Sequence, residues 1–261
     1  RSTQSRSSAA SDVYKRQHNY SGYPVIREIR NLIINGELGK IRIVKGQYLQ
    51  GWLGQKEEDS GQNKQAEWRT DPARSGAAGA VGDIGSHTMH IIEFVTGLKV
   101  ENVAADLTTF VEGRRLDDDA SIMLRLNDNV KGNLSISQIA TGEENNLSFS
   151  IYGESGAVHW SQENPNYATL SKIGSLNSII TRGGLVTSTS MGNVRIPPGH
   201  PEGYLEGFAQ IYSDIADVIS QSSNSENLLS ILPNAEDGMH IMKFINACVA
   251  SSKNDSEWTQ V

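Results

Sequence analysis

In the stretch GAAGAVGDIGSHTMH, Gly76 to His90, an aspartate and a histidine stand four residues apart, Asp83 and His87, behind a run of glycine and alanine. On a helix this spacing puts both side chains one turn apart on one face, with His90 close to it. A carboxylate beside an imidazole raises its basicity and fixes its orientation, which suits a general base working near neutral pH. The small residues before the pair leave room for a ligand or for another backbone. Two plainer readings fit the same spacing: Asp83 caps the helix, since aspartate is a favoured N-cap, and His87 is an ordinary satisfied polar residue. An i, i+4 pair can also chelate, but no third carboxylate or imidazole stands at a matching spacing, so no metal site is expected.

The elements that must position the pair follow from periodicity. YPVIREIRNLIINGELG reads as a helix, with Val25, Ile26, Ile29, Leu32 and Ile33 at helical spacing and Gly36 as its stop. KIRIVKGQYLQGWL then reads as a strand. Residues 54–80 are polar and Gly-rich and are expected to form a long loop. A helix over Ile84–Thr96 follows, with Ile84, Thr88, Ile91 and Val95 on one face and Gly97 ending it. From Glu101 to about Lys172 come short alternating runs separated by turn residues, notably Asn127–Asn129 and Gly153–Gly156, the signature of a mainly antiparallel sheet. Residues 174–200 are expected to be irregular. Helices over about Gly203–Ser220 and Pro233–Ser251 close the chain. The expected fold class is therefore α+β, a mainly antiparallel open sheet with helices packed on one face. Trp160 and Trp258 are read as packing residues, and the acidic run Asp117–Asp119 as a solvated turn.

Composition excludes several partners. The 261 residues carry a net charge of −7. The first seventeen hold Arg1, Arg6, Lys15 and Arg16 against Asp12, so the acidity belongs to the body of the chain. An acidic body argues against nucleic acid. No apolar run is long enough to span a membrane, and no signal-peptide pattern is present. The single cysteine, Cys248, allows no internal disulfide and is compatible with a reducing compartment, so a cytoplasmic protein is expected. Residues 1–17 have no apolar periodicity, and DVYKRQ resembles the in-frame translation of a transposase adapter used in preparing sequencing libraries. On that reading the natural sequence starts near His18, within a longer protein.

The segment AEWRTDPARSGAAGAVGDIGSHTMHIIEFVTG resembles the second domain of the Gfo/Idh/MocA oxidoreductases, in which an Asp-x-Gly-x-His signature follows a Gly-rich approach; here it reads Asp83-Ile84-Gly85-Ser86-His87. NGELGKIRIV is similar to that family's passage into the domain, PPGHPEGYLEGFAQIY to its late loop and helix, and ILPNAEDGMHIMKFINACVASSKNDSEWTQV to its closing helix and tail. The resemblance covers His18 to Val261. It implies 18–38 as a helix leading out of a dinucleotide-binding domain and 39–261 as the C-terminal α+β domain. It also implies NAD or NADP as cofactor, a sugar or polyol as substrate, His87 as general base, and Asp83 orienting it or binding substrate. By the same resemblance Trp68 and Arg69 touch the cofactor, Arg69, Asp71 and Arg74 lie near the substrate, and His200 and Tyr204 reach the sugar. Subunits would pair through the open sheet face into a homo-oligomer.

The sequence departs from that family in two places. It contains no Gly-x-Gly-x-x-Gly fingerprint and no Glu-Lys-Pro, the motif that supplies the family's catalytic lysine. A chain without the dinucleotide fingerprint is expected to bind no cofactor tightly and to be inactive alone, as part of a longer dehydrogenase. The alternative is a stand-alone carbohydrate-binding or assembly domain, or a divergent isomerase or lyase working through Asp83 and His87 without cofactor.

Overall fold

The computed structural model describes residues 18–222 and 225–261. The expected arm of residues 1–17 lies outside them. Nine strands form one sheet in the order β8-β7-β6-β5-β1-β4-β3-β2-β9. They are β1 (Ile41–Leu49), β2 (Val100–Thr108), β3 (Asp119–Leu126), β4 (Lys131–Ser137), β5 (Asn146–Gly153), β6 (Gly156–Ser161), β7 (Tyr167–Lys172), β8 (Ser178–Thr181) and β9 (Thr259–Gln260). Every pairing is antiparallel except β1 with β4, which run parallel at the centre. The fold class is α+β, as the alternating runs predict.

Register explains why only one face is covered. One row across the sheet reads Ile122, Leu134, Gly46, Phe149, Trp160, Ala168 and Ile180; the next row reads Met123, Asn133, Lys45, Ser150, His159, Thr169 and Ile179. Successive side chains of a strand point to opposite faces, so the first row is core and the second is surface. Phe149 and Trp160 are buried, while Met123 and Ile179 are exposed. The helices α1 (Pro24–Ile34), α4 (Ser86–Thr96) and α8 (Ala235–Lys253) lie on the core side; α4 crosses β1 and β5, α8 crosses β2, and α1 packs on α4. Gly46 makes the crossing close: a methyl group there would come within 2.8 Å of Thr88 and Ile92 of α4.

Local chemistry sets the helix ends. Pro24 opens α1, and Gly97 at φ 71° closes α4, as the sequence predicts. Asn234 caps α8 by accepting from the amides of Glu236 and Asp237, in a capping box with Asp237. The first half of α1 is buried all round rather than on one stripe. Arg27 is paired with Asp214 of α6 (Tyr204–Ile219) at 2.5 Å, and Glu28 accepts from Thr187. These partners come from the far end of the chain and leave no trace in the local periodicity.

Two expected irregular stretches carry structure. Residues 54–80 hold a 3₁₀ turn at Glu57–Ser60, α2 (Lys64–Arg69) and α3 (Pro72–Ser75), capped by Asn63 and Asp71. Residues 174–200 hold β8, a 3₁₀ turn at Arg182–Gly184 and α5 (Ser188–Met191). Helix α7 (Ser225–Leu229) precedes α8. Among the described residues, no helix is long and apolar enough to cross a membrane and no cluster of three or more potential ligands could hold a metal ion.

Candidate functional site

The Gly-rich approach does not run straight into an α-helix. Val81–Gly85 form one π-helical turn before α4 begins at Ser86. Such turns widen the backbone and are frequent at functional sites. The turn is held from outside by Asp117, whose carboxylate accepts from the Gly79 amide at 2.5 Å and the Val81 amide at 2.8 Å, while its carbonyl accepts from the Ala80 amide at 2.9 Å. Asp117 therefore supplies the acceptors that a helix start requires, and burial pushes its pKa up. The acidic run is not a solvated turn. Asp117 and Asp118 are buried, and Asp118 accepts from the amides of Phe110 and Val111 and from Arg114.

Asp83 sits within the π turn and caps nothing. Its Oδ2 accepts from Arg69 Nε at 2.7 Å and from Gln138 Nε2 at 2.8 Å. Arg69 lies over the Trp68 ring, 4.3 Å from its centroid. His87 is partly exposed on the first turn of α4, edge-on to Tyr20 (5.5 Å), His18 (5.4 Å) and Tyr48 (6.3 Å). Its Nδ1 is buried and has no hydrogen-bond partner among the described residues. Burial lowers the His87 pKa to about 4, with the Asp83 charge opposing the shift, so the ring is neutral at neutral pH. The two groups interact through charge; the hydrogen bonds of Asp83 go to Arg69 and Gln138 instead.

Both residues line a cleft of about 570 Å³, within the usual range for small-molecule sites. The same lining holds a polar network that sequence reasoning missed. Tyr48 donates to Asn145 Oδ1 at 2.8 Å, Gln50 donates to the same oxygen at 2.8 Å, and Tyr20 stands 2.7 Å from the Tyr48 hydroxyl. Asn19, Gln162, Tyr204 and Phe208 complete the lining. Burial raises the pKa of both Tyr20 and Tyr48, which keeps the phenols protonated. These residues come from the entry segment, β1 and the residue after it, the β4–β5 and β6–β7 connections and α6, so no local motif joins them. The amide- and tyrosine-rich start, His18-Asn19-Tyr20, is the one local signal that could have marked this wall. A smaller cleft of about 230 Å³, lined by Trp68, Gly76, Ala77, Met242 and Asn246, meets the first at Asp83 and His87.

Of the residues singled out in the sequence, Arg69, Asp83, His87 and Tyr204 share the larger cleft, and Trp68 lines the smaller one. Tyr204, half-exposed at the first position of α6, stands edge-on to Phe208 at 5.0 Å. Asp71 caps α3 and accepts from Arg115, and Arg74 is exposed at the end of the same helix; neither lines the cleft. His200 lines a separate cleft of about 410 Å³ beside Arg182, which it meets through its backbone carbonyl.

An open, mainly antiparallel sheet carrying an Asp–His cleft on its helical side defines an α+β domain of a recognisable type. The GFO/IDH/MocA C-terminal domain model matches residues 26–159, and the chain belongs to that family. It is 26% identical over 251 residues to the uncharacterized oxidoreductase YfiI of Bacillus subtilis (strain 168), covering 93% of this chain and 63% of that protein. It superposes at TM-score 0.86 and 26% identity on an inositol dehydrogenase homolog complexed with NAD+ from Azotobacter vinelandii, covering 94% of this chain and 64% of the other. An oxidoreductase from Sinorhizobium meliloti matches at TM-score 0.80 and 39% identity, over 93% and 63% of the two chains. The chain thus spans just under two thirds of the length of each of these three proteins.

Proposed function

We propose that this chain is the substrate-facing part of an NAD(P)-dependent oxidoreductase that acts on a sugar, polyol or related hydroxyl compound, and that it is inactive alone. The observation that carries this reading is Asp83, held between Arg69 and Gln138, beside a neutral His87 in the wall of one cleft. A neutral imidazole can take the proton of a substrate hydroxyl, and the adjacent Asp83 charge stabilises the imidazolium that forms. In the reductive direction the same ring returns the proton. Arg69 and Gln138 keep the carboxylate in place while this happens.

On this reading the dinucleotide is held mainly by another part of the protein. Its pyrophosphate needs a parallel strand, a Gly-rich turn and a helix N-terminus in succession. The parallel pair here, β1 with β4, is separated by the whole stretch from α2 to β3 and carries no such turn. The nicotinamide chemistry, acceptance of a hydride, would come from another part of the protein, and the part assigned to this chain is substrate binding and proton transfer. Trp68 and Arg69 are the residues proposed to face the cofactor; Asp71, Arg74 and His200 are proposed only as outlying substrate contacts. A cytoplasmic location is consistent with this chemistry.

The exposed sheet face favours a second, compatible role in assembly. Ile43, Met123 and Tyr152 lie exposed among polar rows there, and pairing of two copies through this face would cover them. Sedimentation of the wild type against Ile43→Lys tests that point. For the catalytic reading the test is His87→Gln in the full-length protein. Turnover should fall by about 10²–10⁴ with substrate affinity nearly unchanged. Unchanged turnover would remove His87 from the mechanism.

A further inference from the structure

We infer that the cleft selects an uncharged polyhydroxy compound, a free sugar or cyclitol, against its phosphorylated or carboxylated counterpart. The inference rests on the oxidoreductase reading for the identity of the site, but its own basis is the charge balance of the cleft wall. Arg69 is the one cationic side chain among the described residues that line the cleft, and its charge is already paired with Asp83. Its Nε donates to Asp83 at 2.7 Å, its Nη1 to Gln65 Oε1 at 2.5 Å, and its face lies on Trp68. Asp83 takes both of its hydrogen bonds on Oδ2, which leaves Oδ1 free to accept. The Arg69–Asp83 pair is thus balanced in charge, and its unpartnered carboxylate atom is Oδ1.

The remaining wall offers neutral donors and acceptors whose directions the network sets. Tyr48 donates to Asn145, so the Tyr20 hydroxyl donates to Tyr48 and keeps its lone pairs for a ligand. Asn145 receives two donors on its oxygen, so its NH₂ is a donor on this wall. Asn19, 2% exposed, has an Nδ2 with no hydrogen-bond partner. The wall thus presents both donors and acceptors. A hydroxyl both donates and accepts and can satisfy either kind. A phosphate or carboxylate only accepts, brings about one to two negative charges toward Asp83 Oδ1, and meets in return only a cation whose charge Asp83 already balances.

The test uses the full-length protein and three matched pairs of probes: glucose with glucose 6-phosphate, galactose with galacturonate, and myo-inositol with its monophosphate. Binding is read by saturation-transfer NMR with titration. The neutral member of each pair that binds should do so at least tenfold more tightly. Asp83→Asn removes the central charge and releases Arg69, so the preference should shrink by tenfold or more. Tighter binding of an anionic member, no binding of any neutral member, or a preference unmoved in D83N would each overturn the inference. Assay with NAD⁺ and NADP⁺ separates this from the reading beneath it. If neutral probes bind selectively but no dinucleotide is reduced, the selectivity stands and the oxidoreductase reading falls. If anionic probes are the ones oxidised, the selectivity falls and the oxidoreductase reading stands.

Discussion

Gly79 lies so close to Asp117 that a side chain cannot stand between them: a methyl group on Gly79 would run into the Asp117 carbonyl oxygen. The contact brings three consecutive amides, Gly79 to Val81, onto one residue and starts the π turn that carries Asp83. Gly79→Ala should therefore destabilise the fold by about 1–3 kcal/mol, the usual cost of forcing atoms into a filled space. Gly82, three residues on, has open room, with the nearest atom 3.6 Å from an added methyl, and Gly82→Ala should stay within about 0.5 kcal/mol of wild type. Urea unfolding of the two variants distinguishes them; equal losses would mean that the Asp117 contact is not what the glycine serves.

Asp117 itself is the second prediction. Asp117→Ala leaves two buried amide groups, those of Gly79 and Val81, without acceptors, at a cost of about 1–3 kcal/mol for each. Asp117→Asn keeps one acceptor and should lose less. Amide exchange at Gly79 and Val81 should accelerate in both variants, and an unchanged exchange rate at these positions would refute the clamp.

Three imidazoles crowd one another beside the cleft. His18 stacks on His90 at 4.0 Å and stands edge-on to His87. Burial is the largest influence on each and lowers all three pKa values, those of His87 and His90 to about 4. A histidine whose folded pKa lies below its unfolded value of 6.5 stabilises the fold fully above pH 6.5. That stability is lost as pH falls toward 4, because the unfolded chain binds the proton first. Unfolding free energy should be flat from pH 7 to 8 and fall between pH 6.5 and 4. The slope should be up to about 1.4 kcal/mol per pH unit for each histidine that titrates only on unfolding. His90→Gln should flatten it by one proton. A slope unaffected by His90→Gln would mean that other groups carry the acid sensitivity.

Arg27 and Asp214 form a buried pair, 3% and 2% exposed, that ties α1 to α6. Arg27 Nε also donates to the Ser21 carbonyl, and Gln210 donates to Asp214. Removing one partner strands the other charge in the interior. Arg27→Met and Asp214→Leu alone should each cost about 3–5 kcal/mol, and the double variant should recover most of that loss. Additive losses in a double-mutant cycle would show that the two side chains act separately.

What could be read directly from the chain is what depends on neighbours in sequence. The α1 helix, the alternating strands β2 to β7, the Gly97 stop and the Asp83–His87 spacing all follow from periods of 3.6 and 2 residues and from capping chemistry. The antiparallel character followed too, because short connections force it. The tertiary structure decided the rest, because it depends on residues far apart in sequence. The parallel junction of β1 and β4 joins strands more than eighty residues apart along the chain. Asp117 looked like an exposed acid until the fold brought it under Gly79, where its charge is spent on backbone amides. The spacing alone leaves Asp83 a cap or a neighbour of His87; only packing shows that its hydrogen bonds go to Arg69 and Gln138 while its charge still acts on His87. The rest of the cleft lining is assembled from amides and phenols on separate segments, and side chains of that kind carry no periodic signal because each is individually unremarkable. A sequence records which groups are available; only the packed chain sets which of them remain unpaired and face a ligand.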